Sequence, residues 1–208
     1  MDVAHPHTVL GTTLEAEVLI VLAHTRRPLT GRELSRLVRR GSQSGVNRAL
    51  RRLEAHGIVE AQEAGRSVMH TLNRQHLAAP AVELLANLRT EFLRRLRDSL
   101  RRWKPAPLHA SLFGSAARAD GNSASDLDVF LVRPRNFRED DARWRAQVEA
   151  WLHEVRQLTG NRVSLAEVSE RDLSRLRRRR PAIVKSLEKD AITLAGPDVP
   201  GLLAEGVA

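Results

Sequence analysis

The stretch LHASLFGSAARADGNSASDLDVFLV, residues 108–132, is the most informative part of the C-terminal half of this chain. Its first part, 108–113, alternates apolar and polar residues and predicts a strand that runs into Gly114. Its last part places Asp126 and Asp128 just before or within an apolar run, which predicts a second strand. The stretch therefore predicts two strands joined by a turn and a short helix.

The two aspartates suggest a chemistry for this turn. Residues i and i+2 of a strand project to the same face, so Asp126 and Asp128 present two carboxylates side by side. Two such acids ionise together most easily with a cation between them, and oxygen ligands suit Mg²⁺. Gly114 lets a phosphate approach the backbone, and Ser115 offers a hydroxyl and a backbone N–H. The pattern predicts a metal and nucleotide site.

The spacing of these residues also resembles a known signature. Gly114-Ser115, nine further residues and then Ser125-Asp126-Leu-Asp128 are similar to the motif of the polymerase-beta-type nucleotidyltransferase superfamily, with the minimal nucleotidyltransferases nearest. The resemblance covers about residues 108–195 and departs at Ala119, where the family usually has glycine. The chain keeps the following motif residues: Gly114, Ser115, Ala117, Arg118, Ser125, Asp126 and Asp128.

The resemblance implies an activity. It implies transfer of a nucleoside monophosphate from a nucleoside triphosphate, with ATP the expected one, to an acceptor hydroxyl. The acceptor is left open between protein, RNA and a small molecule. Asp126 and Asp128 would hold Mg²⁺ or Mn²⁺ as catalytic residues. Nucleotide contacts would come from Gly114, Ser115, Arg118 and Ser125.

The family also uses a third carboxylate on a neighbouring strand. The strand predicted over 162–168 contains one acid, Glu167, whereas many relatives have their acid nearer the position of Ser164. Ser164 and Glu167 point to opposite faces of a regular strand. Glu167 is therefore a candidate catalytic residue. The alternative is that its side chain faces away from the two aspartates.

The N-terminal third predicts a different kind of domain. Helical patterns over 12–25, 30–40 and 45–56 precede two strands, 58–62 and 67–72. This is the order of a winged helix-turn-helix, and residues 42–59 resemble recognition helices of bacterial winged-helix regulators. A solvated arginine face and a protein-contact module remain alternatives to binding of double-stranded DNA. The candidate DNA contacts are Gln43, Ser44, Asn47, Arg48, Arg51, Arg52 and, at the wing tip, Arg66.

These patterns together predict an α+β chain. We expect a winged helix-turn-helix over 1–75, a connecting helix and linker over 76–107, a nucleotidyltransferase α/β domain with a mixed sheet over 108–195, and a flexible tail over 196–208. The apolar stripe of the connecting helix either packs on one or both domains or forms a homodimer interface.

Composition narrows the functional class. The 34 basic residues outnumber 25 acidic ones, the surplus lies in the first half, and this favours a polyanionic partner. The absence of cysteine excludes disulfides and a thiolate nucleophile, and the absence of tyrosine excludes a phenolic one. The longest aliphatic run, 18–23, is too short for a membrane span, and the N-terminus lacks a secretory pattern. We expect a cytoplasmic protein without a membrane partner.

Two rival functions remain at this point. In the first, the chain joins DNA binding to a catalytically silent transferase domain that senses a nucleotide or a partner, and it is a transcription regulator. In the second, it is a toxin–antitoxin component that nucleotidylates a partner protein or tRNA. The open position of the third acid and the presence of Ala119 motivate the first of these rivals.

Overall fold

The computed structural model describes residues 1–10, 13–39, 41–118, 120 and 125–204. The chain divides into two compact units, which we call the N-terminal unit (residues 6–88) and the C-terminal unit (residues 1–5 and 89–208). No helix among the described residues combines the length and apolar character needed to cross a membrane. Each unit is described separately below.

The N-terminal unit is a winged helix. Its three helices and a hairpin pack around one apolar core, as predicted, with Val18, Leu34 and Val46 fully buried. Its elements are α1 (Leu14–Ala23), β1 (Leu29–Thr30), α2 (Gly31–Leu37), α3 (Gln43–Ala55), β2 (Val59–Ala64), β3 (Ser67–Leu72) and α4 (Ala79–Ala86). The hairpin β2–β3 is antiparallel, and β1 pairs with the outer side of β3.

The helices and strands of this unit differ from the sequence prediction by a few residues at their ends, and two differences have a local cause. Helix α3 begins at Gln43 rather than at Gly45, because the Ser42 hydroxyl accepts a hydrogen bond from the Gly45 N–H at 3.1 Å and caps the helix there. The short strand β1 was not predicted, since its two residues are too few to produce an alternating pattern.

The helical stretch predicted over 76–103 is two helices. Helix α4 ends before Asn87, whose side-chain amide donates to the Glu83 carbonyl at 2.8 Å, and α5 covers Leu88–Arg101. Val82 of α4 is buried in the winged-helix core. Phe92 and Leu96 of α5 are buried in the core of the C-terminal unit. The segment predicted as a connector is therefore divided between the two units.

The C-terminal unit is built on a mixed four-stranded sheet in the order β6-β5-β4-β7. Strand β4 is antiparallel to both of its neighbours, and β5 and β6 are parallel because α7 returns the chain between them. After α5, its elements are β4 (His109–Phe113), α6 (Gly114–Arg118), β5 (Leu127–Arg133), α7 (Ala142–Thr159), β6 (Val163–Ser169), α8 (Leu173–Arg179), α9 (Ala182–Asp190), β7 (Ile192–Ala195) and α10 (Val199–Leu203).

Both faces of this sheet are covered. On one face, Val129 and Leu131 of β5 belong to a core with Trp144 and Trp151 of α7 and residues of α5. On the other face, Phe130 belongs to a core with residues of α8, α9 and α10. Because side chains alternate along β5, Asp128 shares a face with Phe130, at the start of the strand.

The C-terminal tail is more ordered than predicted. Residues 199–203 form α10 instead of a flexible segment, because Val199 and Leu202 are buried against the sheet-covering helices. Asp198 caps this helix by accepting a hydrogen bond from the Gly201 N–H at 2.8 Å. The two prolines of this region therefore lie beside and within a packed element.

Candidate active site and nucleic-acid interface

The turn after β4 brings a glycine against an aspartate. Gly114 has a φ of +69°, a left-handed conformation that disfavours residues with a side chain. A Cβ at this position would overlap the Oδ2 atom of Asp128, which lies opposite Phe113 in the register of β4 and β5. The glycine thus allows the Asp128 carboxylate to lie directly against the turn.

Asp126 and Asp128 lie close enough to affect each other. Burial raises the pKa of the Asp128 carboxyl group, the charge of Asp126 raises it further, and the charge of Arg118 opposes both. Asp126 is exposed and directly precedes β5, whereas Asp128 is half-buried. Within the described part of the chain, no three Asp, Glu or His side chains are grouped as metal ligands. The pair alone fits a divalent cation that takes further ligands from a phosphate and water.

Arg118 is held in place by two acids. Its guanidinium donates to Asp120 at 2.8 Å and to Asp190 at 2.7 Å, and these bonds raise its pKa. The Asp190 side chain is only 6% exposed. The sequence analysis did not identify Asp190, because the contact joins residues 72 positions apart and no local pattern marks it. Asp190 keeps Arg118 at the end of α6 beside the aspartate pair.

Arg89 supports the same short helix from behind. Its guanidinium donates to the carbonyls of Ala116 and Ala117, both at 3.0 Å, and to the carbonyl of Val3 at 2.9 Å. Burial lowers the pKa of Arg89, and the charge of Asp2 opposes this. The sequence analysis missed Arg89 as well, since nothing separates it from the other arginines of its helix.

Ser125 and Ser115 lie on the two sides of the site. The Ser125 carbonyl accepts a hydrogen bond from the Asn161 side chain at 2.9 Å, which ties the start of β5 to the residues before β6. Ser115 is half-buried in the first turn of α6. Ala119, where the sequence departs from the family motif, lies outside the described residues.

Glu167 does not join the aspartates. The parallel register of β5 and β6 pairs Asp128 with Ser164 and pairs Leu131 with Glu167. Glu167 therefore lies three residues farther along the strand and on the opposite face of the sheet. The candidate assignment of Glu167 as the third carboxylate of this site is not supported by the geometry, and a serine occupies the position beside Asp128.

The surroundings of Glu167 explain its role. Its carboxylate forms an ion pair with Arg133, which is buried, and accepts a hydrogen bond from the Trp144 Nε1 atom at 2.8 Å. Arg133 also donates to the Phe137 carbonyl at 3.0 Å. Glu167 thus neutralises a buried arginine inside the sheet-helix core.

The winged helix presents part of its predicted DNA-contact set together. A cavity of about 450 Å³ lies between α3 and the wing. Gly31 leaves room for the Asn47 side chain at the edge of this cavity. Four predicted contacts line the cavity, namely Gln43, Asn47, Arg51 and Arg66.

The other three predicted contacts lie elsewhere on α3. Ser44 and Arg48 are exposed on its outer face. Arg52 forms an ion pair with Glu15 of α1 and is turned toward that helix. The cavity also contains Glu54 and His70, which the sequence analysis did not identify and whose side chains lie 3.0 Å apart. Burial lowers the pKa of His70, and Glu54 opposes this.

Comparison with known proteins agrees with this description. The family model of a nucleotidyltransferase domain matches residues 93–192, and that of a winged helix DNA-binding domain matches residues 12–75. No match was found for the chain among curated proteins or among solved structures. The first match includes most of α5, in agreement with the burial of that helix in the C-terminal unit. The chain is therefore a fusion of a winged helix DNA-binding domain and a nucleotidyltransferase domain.

Proposed function

We propose that the protein transfers a nucleoside monophosphate from a nucleoside triphosphate to an acceptor hydroxyl, in a reaction that depends on a divalent metal ion. The observation that carries this proposal is the packing of Asp128 against Gly114, with Asp126 and Arg118 beside it. In the reaction, the acceptor oxygen bonds to the α-phosphorus, the bond to the β-phosphate breaks, and pyrophosphate leaves. ATP is the expected donor.

Each site residue has a separate task in this proposal. Asp126 and Asp128 hold Mg²⁺ or Mn²⁺, and a bound cation would neutralise charge on the triphosphate. Gly114 and Ser115 contact the β- and γ-phosphates, because the turn there has no bulky side chain. Arg118, oriented by Asp190, neutralises phosphate charge. Ser125 positions the loop that carries Asp126.

The N-terminal domain gives the proposed enzyme a double-stranded DNA partner. Arg48, Arg51 and Arg66 are exposed and basic, and α3 has the dimensions to enter a major groove. DNA binding would bring the transferase to particular sites in the genome. The acceptor stays open between a protein, an RNA end and a small molecule.

One observation supports a second candidate function. Ser164 occupies the position next to Asp128 on the neighbouring strand, and Glu167 is engaged with Arg133. A site with two carboxylates is also compatible with nucleotide binding without turnover. The second candidate is therefore a DNA-binding regulator whose transferase domain senses a nucleotide.

The test is transfer of label from each nucleoside triphosphate, labelled at the α-phosphate, with Mg²⁺ or Mn²⁺. The protein is incubated alone, with host protein extract and with host RNA, beside an Asp126→Asn/Asp128→Asn variant. Label that appears only with the wild type supports transfer and identifies the acceptor class. Absence of label from every fraction, with folded protein that still binds duplex DNA, favours the regulator.

Replacing Gly114 with alanine is expected to lower transfer at least about tenfold, because the new Cβ displaces the Asp128 carboxylate. Gly160→Ala is the matched control, since Gly160 also has a positive φ, +74°, but nothing lies near its Cβ position. Both variants should lose about 1 kcal/mol of unfolding free energy from backbone strain. Equal transfer rates in the two variants would contradict the role given to Gly114.

Replacing Arg51 with alanine is expected to weaken binding of a mixed-sequence DNA duplex about tenfold. Arg52→Ala removes the same charge from the next position of α3, but Arg52 is paired with Glu15, so its expected loss is much smaller. Fluorescence anisotropy at a fixed salt concentration measures both affinities. Equal losses would mean that α3 binds through its overall charge rather than through the side that faces the wing.

A further inference from the structure

A second basic site lies in the C-terminal unit, at the end of the sheet opposite the aspartate pair. A cavity of about 970 Å³ opens at the carboxyl ends of β5 and β6. We call it the arginine groove. Its lining residues include Arg133, Arg135, Arg138, Arg145, Arg171 and Phe137. Arg133 is five residues beyond Asp128 on β5, so the groove and the aspartates are about 17 Å apart along the strand.

The groove has an excess of positive charge. Of its five arginines, three have an ion-pair partner: Arg133 is paired with Glu167, Arg138 with Asp140 at 3.1 Å, and Arg145 with Glu149 at 3.7 Å. Glu139 is a further carboxylate of the lining. Arg135 and Arg171 are exposed, and neither guanidinium has an ion pair among the described residues. Two unpaired cations in one concave surface favour an anionic ligand.

The positive surface continues beyond this cavity. A neighbouring cavity of about 430 Å³ shares Arg133, Glu139 and Ser169 with the groove. Its carboxylates Glu167 and Asp172 are paired with Arg133 and Arg175, whereas the exposed Arg179 has no ion pair among the described residues. The two cavities thus form a track rather than a single pocket. Guanidinium groups arranged along a track suit successive phosphates of a polymer, because each phosphate accepts a fork of two hydrogen bonds.

Phe137 indicates which polymer fits. Phe137 lines the arginine groove and is half-buried. An aromatic ring inside a basic groove can stack a base only when that base is free of its partner strand. A duplex would meet the rim arginines but would leave the ring without a contact.

From this combination we propose that the arginine groove binds the backbone of a single-stranded nucleic acid, with a base stacked on Phe137. The site is separate from the aspartate pair, and its binding does not depend on the transfer activity proposed above. It is also separate from the face of α3, which is proposed to bind duplex DNA.

The experiment measures anisotropy of a labelled single-stranded RNA oligonucleotide with the full-length protein. The groove variant is Arg135→Ala/Arg171→Ala, whose residues are exposed and make no ion pair among those described, so folding should be preserved. Arg143→Ala/Arg156→Ala is the matched control, with the same loss of charge on α7 outside the groove, because both residues are exposed and neither has an ion pair among those described. Phe137→Leu tests stacking without a change of charge.

The groove variant is expected to bind the oligonucleotide at least about tenfold more weakly than the wild type. The slope of log affinity against log salt concentration should become shallower by about 1.4, which corresponds to the loss of two phosphate contacts on a single strand. Phe137→Leu should weaken binding without changing the dependence of affinity on salt concentration, because it removes stacking but no charge. The control should remain within about twofold of the wild type.

Three results would overturn the proposal. Equal losses in the groove variant and its control would show that only net charge matters. An unchanged affinity in the groove variant would place the RNA elsewhere. Binding of tripolyphosphate without binding of the oligonucleotide would make the groove a site for a small phosphorylated molecule instead.

Discussion

Asp128→Asn is expected to reduce label transfer at least about 10³-fold, since loss of one metal-binding carboxylate removes several kcal/mol of stabilisation from the transition state. The same change should leave the free energy of unfolding at pH 7 unchanged or slightly higher. The reason is the raised pKa of Asp128, caused by burial and by Asp126. Activity and stability therefore move in opposite directions at this residue.

The sign of the stability effect follows from linkage. A group whose pKa is raised in the folded state stabilises the fold below its unfolded pKa, and this contribution is lost as the pH rises through the folded pKa. Ionised Asp128 therefore costs stability near neutral pH, and asparagine removes that cost. Chemical denaturation at pH 7 measures the difference.

Glu149→Gln is the control for this prediction, because Glu149 is 70% exposed and distant in sequence from the site. It should change neither transfer nor stability. A marked loss of unfolding free energy in Asp128→Asn would show that the carboxylate stabilises the fold. This would weaken the case that Gly114 leaves space for a carboxylate whose task is to bind a metal ion.

Glu167→Gln is expected to have the opposite profile. It should lower the free energy of unfolding by about 3 kcal/mol, because it leaves the Arg133 charge buried without its main partner. The new amide can still accept from Trp144, and Asp172 lies near enough to Arg133 for its pKa to respond to that charge. These contacts keep the loss at the lower end of the range for a broken buried pair.

Transfer by Glu167→Gln should be retained, when measured at a temperature at which the variant is folded. Glu167 is on the sheet face opposite Asp128, so the site is not altered directly. Urea denaturation and the labelling assay together separate the two roles. A large loss of transfer with unchanged stability would restore Glu167 as the third carboxylate.

Much of this fold could be predicted from local sequence. The β4–turn–β5 stretch has its glycine, serine and aspartates within 15 residues, and short-range alternation and turn chemistry are enough to define it. The winged helix was predicted for the same reason, since capping residues mark its helices and a glycine marks its hairpin. Both predictions rest on patterns of residues that lie close together in the sequence.

The parts that could not be predicted depend on distant contacts. The face of Glu167 is set by the register of β5 against β6, and a shift by one residue would reverse it. The contacts of Arg118 with Asp190 and of Arg89 with α6 join residues far apart in the sequence. The order of residues 199–203 likewise comes from packing against other helices rather than from a local pattern.

The C-terminal unit is discontinuous in sequence, and this has a consequence for how the chain is made. Val3 is buried in the same core as Leu194 of β7, and its carbonyl accepts from Arg89. The N-terminal unit lies between these segments in the chain. During translation the winged helix is complete before most of the sheet exists. Residues 1–5 are therefore translated before the winged helix but reach their native place only after the strands that follow it, including β7, have been made.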